Sequence, residues 1–168
     1  MIDARGAGFG PPEGALPRRQ RTTGFEGQAP APTRPDLGTT ARRAAEPAVR
    51  TELGALRQSI PGVQGCVLAG VDGLLLAHDL TGNDEPHDLA ALAATTFGLG
   101  RQAGIALRHG PFRDSTVRSH RGYFTVYAVS DLALLAVLGD DGLNVARLHL
   151  QARPLADRLA DLLHVRTA

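Results

Sequence analysis

The sequence predicts an α/β domain of the layered α+β kind, built on one five-stranded antiparallel sheet in the order helix-strand-strand-helix-strand-strand-strand-helix. Three observations carry this prediction. Short runs of strand length are separated by turn dipeptides at Asp72-Gly73, Arg121-Gly122 and Ser130-Asp131. Two amphipathic helical stripes, over 49–60 and 148–162, flank those runs. Between the second and third strands lies a long stretch that is apolar almost all the way round.

In chain order, Val49, Leu53, Leu56 and Ile60 fall at spacings of four, three and four, the stripe of a helix that begins near Pro47. Pro61-Gly62 stops it. A hairpin follows, with strands over 65–71 and 74–78. Its Asp72-Gly73 turn is of the kind in which both residues accept positive φ. After a polar loop, Asp84, Glu85 and Asp88 put negative charge at the start of the next helix, where its dipole favours it.

That middle helix runs from His87 to about Ile105. Leu89, Leu92, Ala93, Thr96, Leu99 and Ala103 make one face, and Ala90, Ala94 and Phe97 lie on another. A helix with so few polar side chains is buried on more than one side. In a domain of this size a sheet covers one of them, so the other points to a partner. Gly98, Gly100 and Gly104 each weaken the helix by about 1 kcal/mol relative to Ala, which makes sense where another backbone comes close.

The segment RHGPFRDS leads to a weak, polar third strand over 115–120, short enough to read as an edge open to pairing. Strands over 123–130 and 132–139 follow. The last is apolar on both faces, so helices should cover the sheet on both sides there. Leu148, Ala152, Leu155, Leu159 and Leu162 form the final helix, which Pro154 is expected to kink or divide. The simplest packing sets the middle helix on one face of the sheet and the other two together on the opposite face.

Residues 1–46 hold six of the eleven Pro and seven of the twenty Gly with no apolar periodicity. They read as a disordered Arg/Pro/Gly-rich tail, with 47–168 as the folded domain. Its basic patch PRRQR (17–21) is a solvated segment or a contact for RNA or acidic lipid; a start codon placed too early is a third reading. All 18 basic residues are Arg, and the net charge of +1 gives no general pull towards nucleic acid, so no nucleic-acid partner is expected. Arg18-Arg19 lacks the apolar core of an export signal, and the single Cys66 excludes an internal disulfide framework. A cytoplasmic protein is the expectation.

Catalytic chemistry finds little support. The six His are scattered without a metal-ligand spacing, so no metal and no cofactor are expected. The glycines of GLGRQAG fall late in a helix instead of opening one, and no Lys is present to reach a phosphate. Cys66 between apolar neighbours reads as a buried thiol. Asp140-Asp141 precede a helix, where capping accounts for at least one of them. Asp72 has no partner in sequence and serves its turn. A small-molecule sensory domain would need a polar pocket between sheet and middle helix, for which Thr95, Thr96 and Tyr127 are the available lining.

The helix ending in IPGVQG, the VDGLLLA hairpin, LAALAATTFGLGRQAG, RGYFTVYAVSD, LALLAVLGD and GLNVARLHLQARPLADRLADLL, in that order, resemble the roadblock family, the dynein-light-chain and LAMTOR-like domains that accompany small GTPases. The likeness covers about 49–163 and is nearest to stand-alone actinobacterial members. Pro154 and the long tail depart from the pattern. The resemblance implies a non-catalytic homodimer in which middle helix and third strand meet their counterparts, forming a platform for a Ras-like small GTPase. The interface it suggests comprises Leu89, Leu92, Ala93, Thr96, Phe97, Leu99, Gly100, Arg101, Thr116, Val117 and Arg118. Arg101, Arg108 and Arg113 are the available candidates for an arginine finger, the favoured reading of each being a solvated surface residue. A histidine-kinase-like protein of the same gene cluster is a further implied partner, with recruitment to the inner membrane face through partners. A passive assembly scaffold of such a membrane-associated complex is the alternative reading.

Overall fold

The computed structural model describes the backbone of residues 37–164 and side-chain surroundings from 46 to 163. All of these belong to one compact unit, Pro35–Ala168. The elements are α1 (Leu37–Ser59), β1 (Val63–Gly70), β2 (Leu75–Leu80), α2 (Pro86–Ala106), β3 (Asp114–Ser119), β4 (Gly122–Ala128), β5 (Ala133–Asp140) and α3 (Val145–His164). The five strands form one antiparallel sheet in the order β2-β1-β5-β4-β3, so β2 and β3 are its edges.

Two apolar layers sandwich this sheet, as the two-sided apolar character of the last strand requires. Leu135 and Val137 of β5 point into a core with Val49, Leu53, Leu56 and Ile60 of α1 and Leu148, Leu155 and Leu159 of α3. Leu134 and Ala136 point the other way, against Leu89, Ala90 and Ala93 of α2. Strand alternation alone produces this division. No described helix is long and apolar enough to cross a membrane.

Four expectations change. The first helix starts at Leu37 and carries Pro47 in its interior, so the last part of the expected tail is helical; residues 1–36 lie outside the described residues. Helix-favouring Ala and Arg, not an apolar stripe, extend it upstream, which periodicity does not detect. Helix α3 is continuous through the exposed Pro154, so it is not divided there.

The hairpin turn takes positive φ only at Gly73. Asp72 contributes through its side chain, its Oδ1 accepting a hydrogen bond from Leu74 N at 3.1 Å. The helix cap after β5 is Asn144, whose Oδ1 accepts from Arg147 N at 3.0 Å, while Asp140 accepts from Gly142 N at 2.9 Å in a tight turn of its own.

Candidate functional site

Helix α2 buries little of its surface against its own sheet. Leu89, Ala90 and Ala93 are covered, and Ala94 and Phe97 pack partly beneath them. The opposite side stays open, with Leu92 at 54% and Leu99 at 74% exposure, two turns apart and in line. The expected pair of faces is therefore redrawn. Leu89 and Ala93, placed among the partner-facing residues, belong to the sheet side and are unavailable to a partner. Periodicity alone does not tell which side of an all-apolar helix a sheet will cover.

The glycines of α2 have three different surroundings. A Cβ on Gly100 would lie 2.3 Å from the Phe112 ring, which occupies that position and meets Phe97 edge to face at 5.4 Å between centroids. A Cβ on Gly104 would come within 2.6 Å of the Gly110 carbonyl oxygen. The close backbone foreseen at these glycines is the chain's own returning loop, and Gly100 is filled from within. Gly98 meets nothing within 4 Å and is exposed. Phe112 was missed from the sequence; the four-residue spacing of Gly100 and Gly104, which opens a groove on one helix face, is the signal that points to it.

Beside α2 runs the edge strand β3. Val117, 46% exposed, lies opposite Phe124 and so on the α2 side of the sheet. Thr116 and Arg118 turn to the other face and are engaged within the chain. Thr116 Oγ1 lies 3.1 Å from Thr125 Oγ1, and the Arg118 guanidinium sits 5.6 Å from the Tyr123 ring centroid. Leu92, Leu99 and Val117 thus share the α2 side with an open strand edge, while Thr96 is half-buried beside them and Arg101 is exposed. Arg101, Arg108 and Arg113 are all exposed, and none of their side chains is paired among the described residues.

The remaining candidates are structural. Cys66 is fully buried, and burial pushes its thiol up to about 12, so it remains protonated at neutral pH. Nearby, Arg57 Nε donates to Asp79 Oδ2 at 2.6 Å, tying α1 to β2; this bond raises the guanidinium above its ordinary range. The Tyr127 hydroxyl is hydrogen-bonded with His149 Nδ1 at 2.9 Å, and burial raises the phenol. Tyr127 faces the α1–α3 core, whereas Thr95 and Thr96 bond back to the Ala91 and Leu92 carbonyls of their own helix. The three residues suggested as a pocket lining do not converge. Among the described residues, no cluster of three or more His, Cys, Asp or Glu is placed to hold a metal ion.

With this geometry in hand, the chain can be set beside known proteins. The Roadblock/LC7 domain matches residues 51–139, more than half of the sequence. A solved Roadblock/LC7 domain from Streptomyces avermitilis superposes with a TM-score of 0.64 at 27% identity, covering 68% of this chain and 96% of that one. The structure described as MglB with tetrameric arrangement gives 0.59 at 19% identity, covering 80% and 95%, a likeness of fold alone. An uncharacterised protein of Methanocaldococcus jannaschii is 24% identical over 98 residues, 58% of this chain and 85% of its own length.

Proposed function

The chain belongs to the Roadblock/LC7 family, and on that premise we propose that it is a non-catalytic homodimeric module that binds and regulates a Ras-like small GTPase. The observation that carries this reading is the open side of α2. Two large aliphatic side chains face solvent there at 54% and 74%, beside an edge strand with Val117 at 46%. Exposed aliphatic side chains and an unpaired strand edge together favour association with a second copy. In such a pairing β3 meets β3, the two sheets continue into one, and the paired α2 helices form a floor on which the GTPase docks. The description of one solved relative as tetrameric supports self-association as a habit of this fold. The implied role in regulating a GTPase comes with the family.

The test has two stages. Sedimentation of the full chain should give a dimer, and Leu92→Arg with Leu99→Arg should give a folded monomer. Tagged wild type should then retain a Ras-like GTPase from host lysate preferentially in the presence of either GTP or GDP, and the double variant should lose it. A wild-type dimer that retains no GTPase in either nucleotide state would leave the chain as a self-associating scaffold. A wild-type monomer would remove the proposal's foundation.

A further inference from the structure

One end of the sheet gathers exposed aliphatic side chains from three separate connections. The β1–β2 turn carries Leu74 at 49% exposure, the β4–β5 turn Leu132 at 75%, and the end of α2 with its following loop Ile105 at 60% and Leu107 at 61%. Register brings all three to the same end of the sheet, the β4–β5 turn lying between the other two: Gly70 pairs with Ala133 and Asp114 with Tyr127. Backbone hydrogen bonds join them into a rim, Val71 N to the Leu132 carbonyl at 3.1 Å and Ala128 N to the Arg113 carbonyl at 2.9 Å. Turn tips ordinarily carry Gly, Asn, Asp, Ser or Pro. A large aliphatic residue on each of three neighbouring connections is a patterned departure.

The charge around the rim is as patterned. No acidic residue occurs between Asp88 and Asp114, while Arg101, Arg108, His109 and Arg113 all lie in that stretch and are exposed. The acids facing the rim are Asp72, whose carboxylate is engaged by Leu74 N, Asp131, and Asp157 of α3, which lines a hollow with Arg113; Asp114 is paired with Arg153 at 3.2 Å. Arg108 adopts φ 57° and Gly110 φ 90°; the loop folds back with the Gly110 carbonyl against Gly104, while the Cβ side of Gly110 is open, with nothing within 4 Å. Ile105 lies about a third of a turn around α2 from Leu99, on a different flank from the face proposed for dimerisation.

We propose that this rim rests on an anionic lipid bilayer, Ile105, Leu107, Leu132 and Leu74 entering the headgroup region while Arg101, Arg108 and Arg113 meet lipid phosphates. Separate protruding aliphatic tips among unpaired arginines suit a soft, negatively charged interface better than a groove-forming protein partner. The inference stands independently of the GTPase reading.

Cosedimentation of the full chain with vesicles tests it. Vesicles of phosphatidylcholine with phosphatidylglycerol should retain the protein at low salt, and those of phosphatidylcholine alone should retain far less. Each of Arg108→Ala and Arg113→Ala should weaken retention about fivefold. Ile105→Asp with Leu132→Asp should abolish it without changing the thermal melt, since both residues are exposed. Leu150→Ser, at an exposed position on α3 away from the rim, should retain wild-type binding. Absence of retention on anionic vesicles overturns the proposal. So does wild-type retention by the Ile105→Asp, Leu132→Asp variant, which would transfer the contact to the basic patch at 17–21.

Discussion

Helices α2 and α3 have nearly the same length, 21 and 20 residues, and lie on opposite faces of one sheet, yet they use their apolar residues differently. Helix α3 is amphipathic in the ordinary sense. Leu148, Ala152, Leu155, Ala156 and Leu159 are buried, while Arg153 and Arg158 reach outward to ion pairs with Asp114 and Glu52. Helix α2 has little polar surface in its first four turns, buries three residues fully and leaves Leu92 and Leu99 in water. The same chain thus writes one helix for a single interface and another for two. An amphipathic helix is complete once its stripe is covered; an all-apolar one is complete only in an assembly.

That contrast can be broken experimentally, most forcefully at the closed side. Leu159→Ala should destabilise the protein by about 2–5 kcal/mol in urea denaturation, because the side chain is fully buried and the cavity it leaves cannot close completely. A loss below about 1 kcal/mol would show the α1–α3 layer to be far looser than its burial implies.

The pH dependence of the same layer comes next. Cys66 holds its proton to about 12 when folded, against an ordinary 9.0. Its contribution is therefore intact below pH 9 and is lost as pH rises towards 12, because the unfolded chain releases the proton first. The slope should reach about 1.4 kcal/mol per pH unit in that window. Denaturation curves of wild type and Cys66→Ala should converge as pH rises; parallel curves would contradict a strongly raised thiol.

The glycines of α2 sharpen the comparison at smaller amplitude. Gly104→Ala should cost about 1–2 kcal/mol, since the new methyl meets the Gly110 carbonyl and the loop must move. Gly98→Ala, in open space, should instead stabilise the dilute protein by up to about 1 kcal/mol. Equal signs for the two, read from thermal melts, would mean that the space around α2 differs from the one described. The smallest effect on stability is expected from Leu99→Ser, under about 0.5 kcal/mol in a monomer. A wild-type melting temperature that rises with protein concentration, beside one for Leu99→Ser that does not, would locate the association surface.

Much of this was legible in advance. The eight elements, their order, the two-sided last strand, the open third strand and the grouping of helices by face follow from apolar period and turn chemistry, which are local properties. The roadblock resemblance rested on those same segments, and the family match bears it out. Which of the expected interface residues the core would take was not legible: Leu89 and Ala93 are buried, Leu92, Leu99 and Val117 are exposed, and Thr116 and Arg118 lie exposed on the other face of β3.

The sequence by itself determined that α2 has more apolar surface than one sheet can cover, because composition and period are written in the order of residues. Which side the sheet takes was decided only in three dimensions, by the crossing of α2 over the strands and by Phe112 filling the groove at Gly100. The same holds for the rim. Leu74, Leu107 and Leu132 are single residues in unrelated turns until antiparallel register brings their connections to one end of the sheet. Local chemistry encodes elements, and only register and packing decide which distant side chains become neighbours.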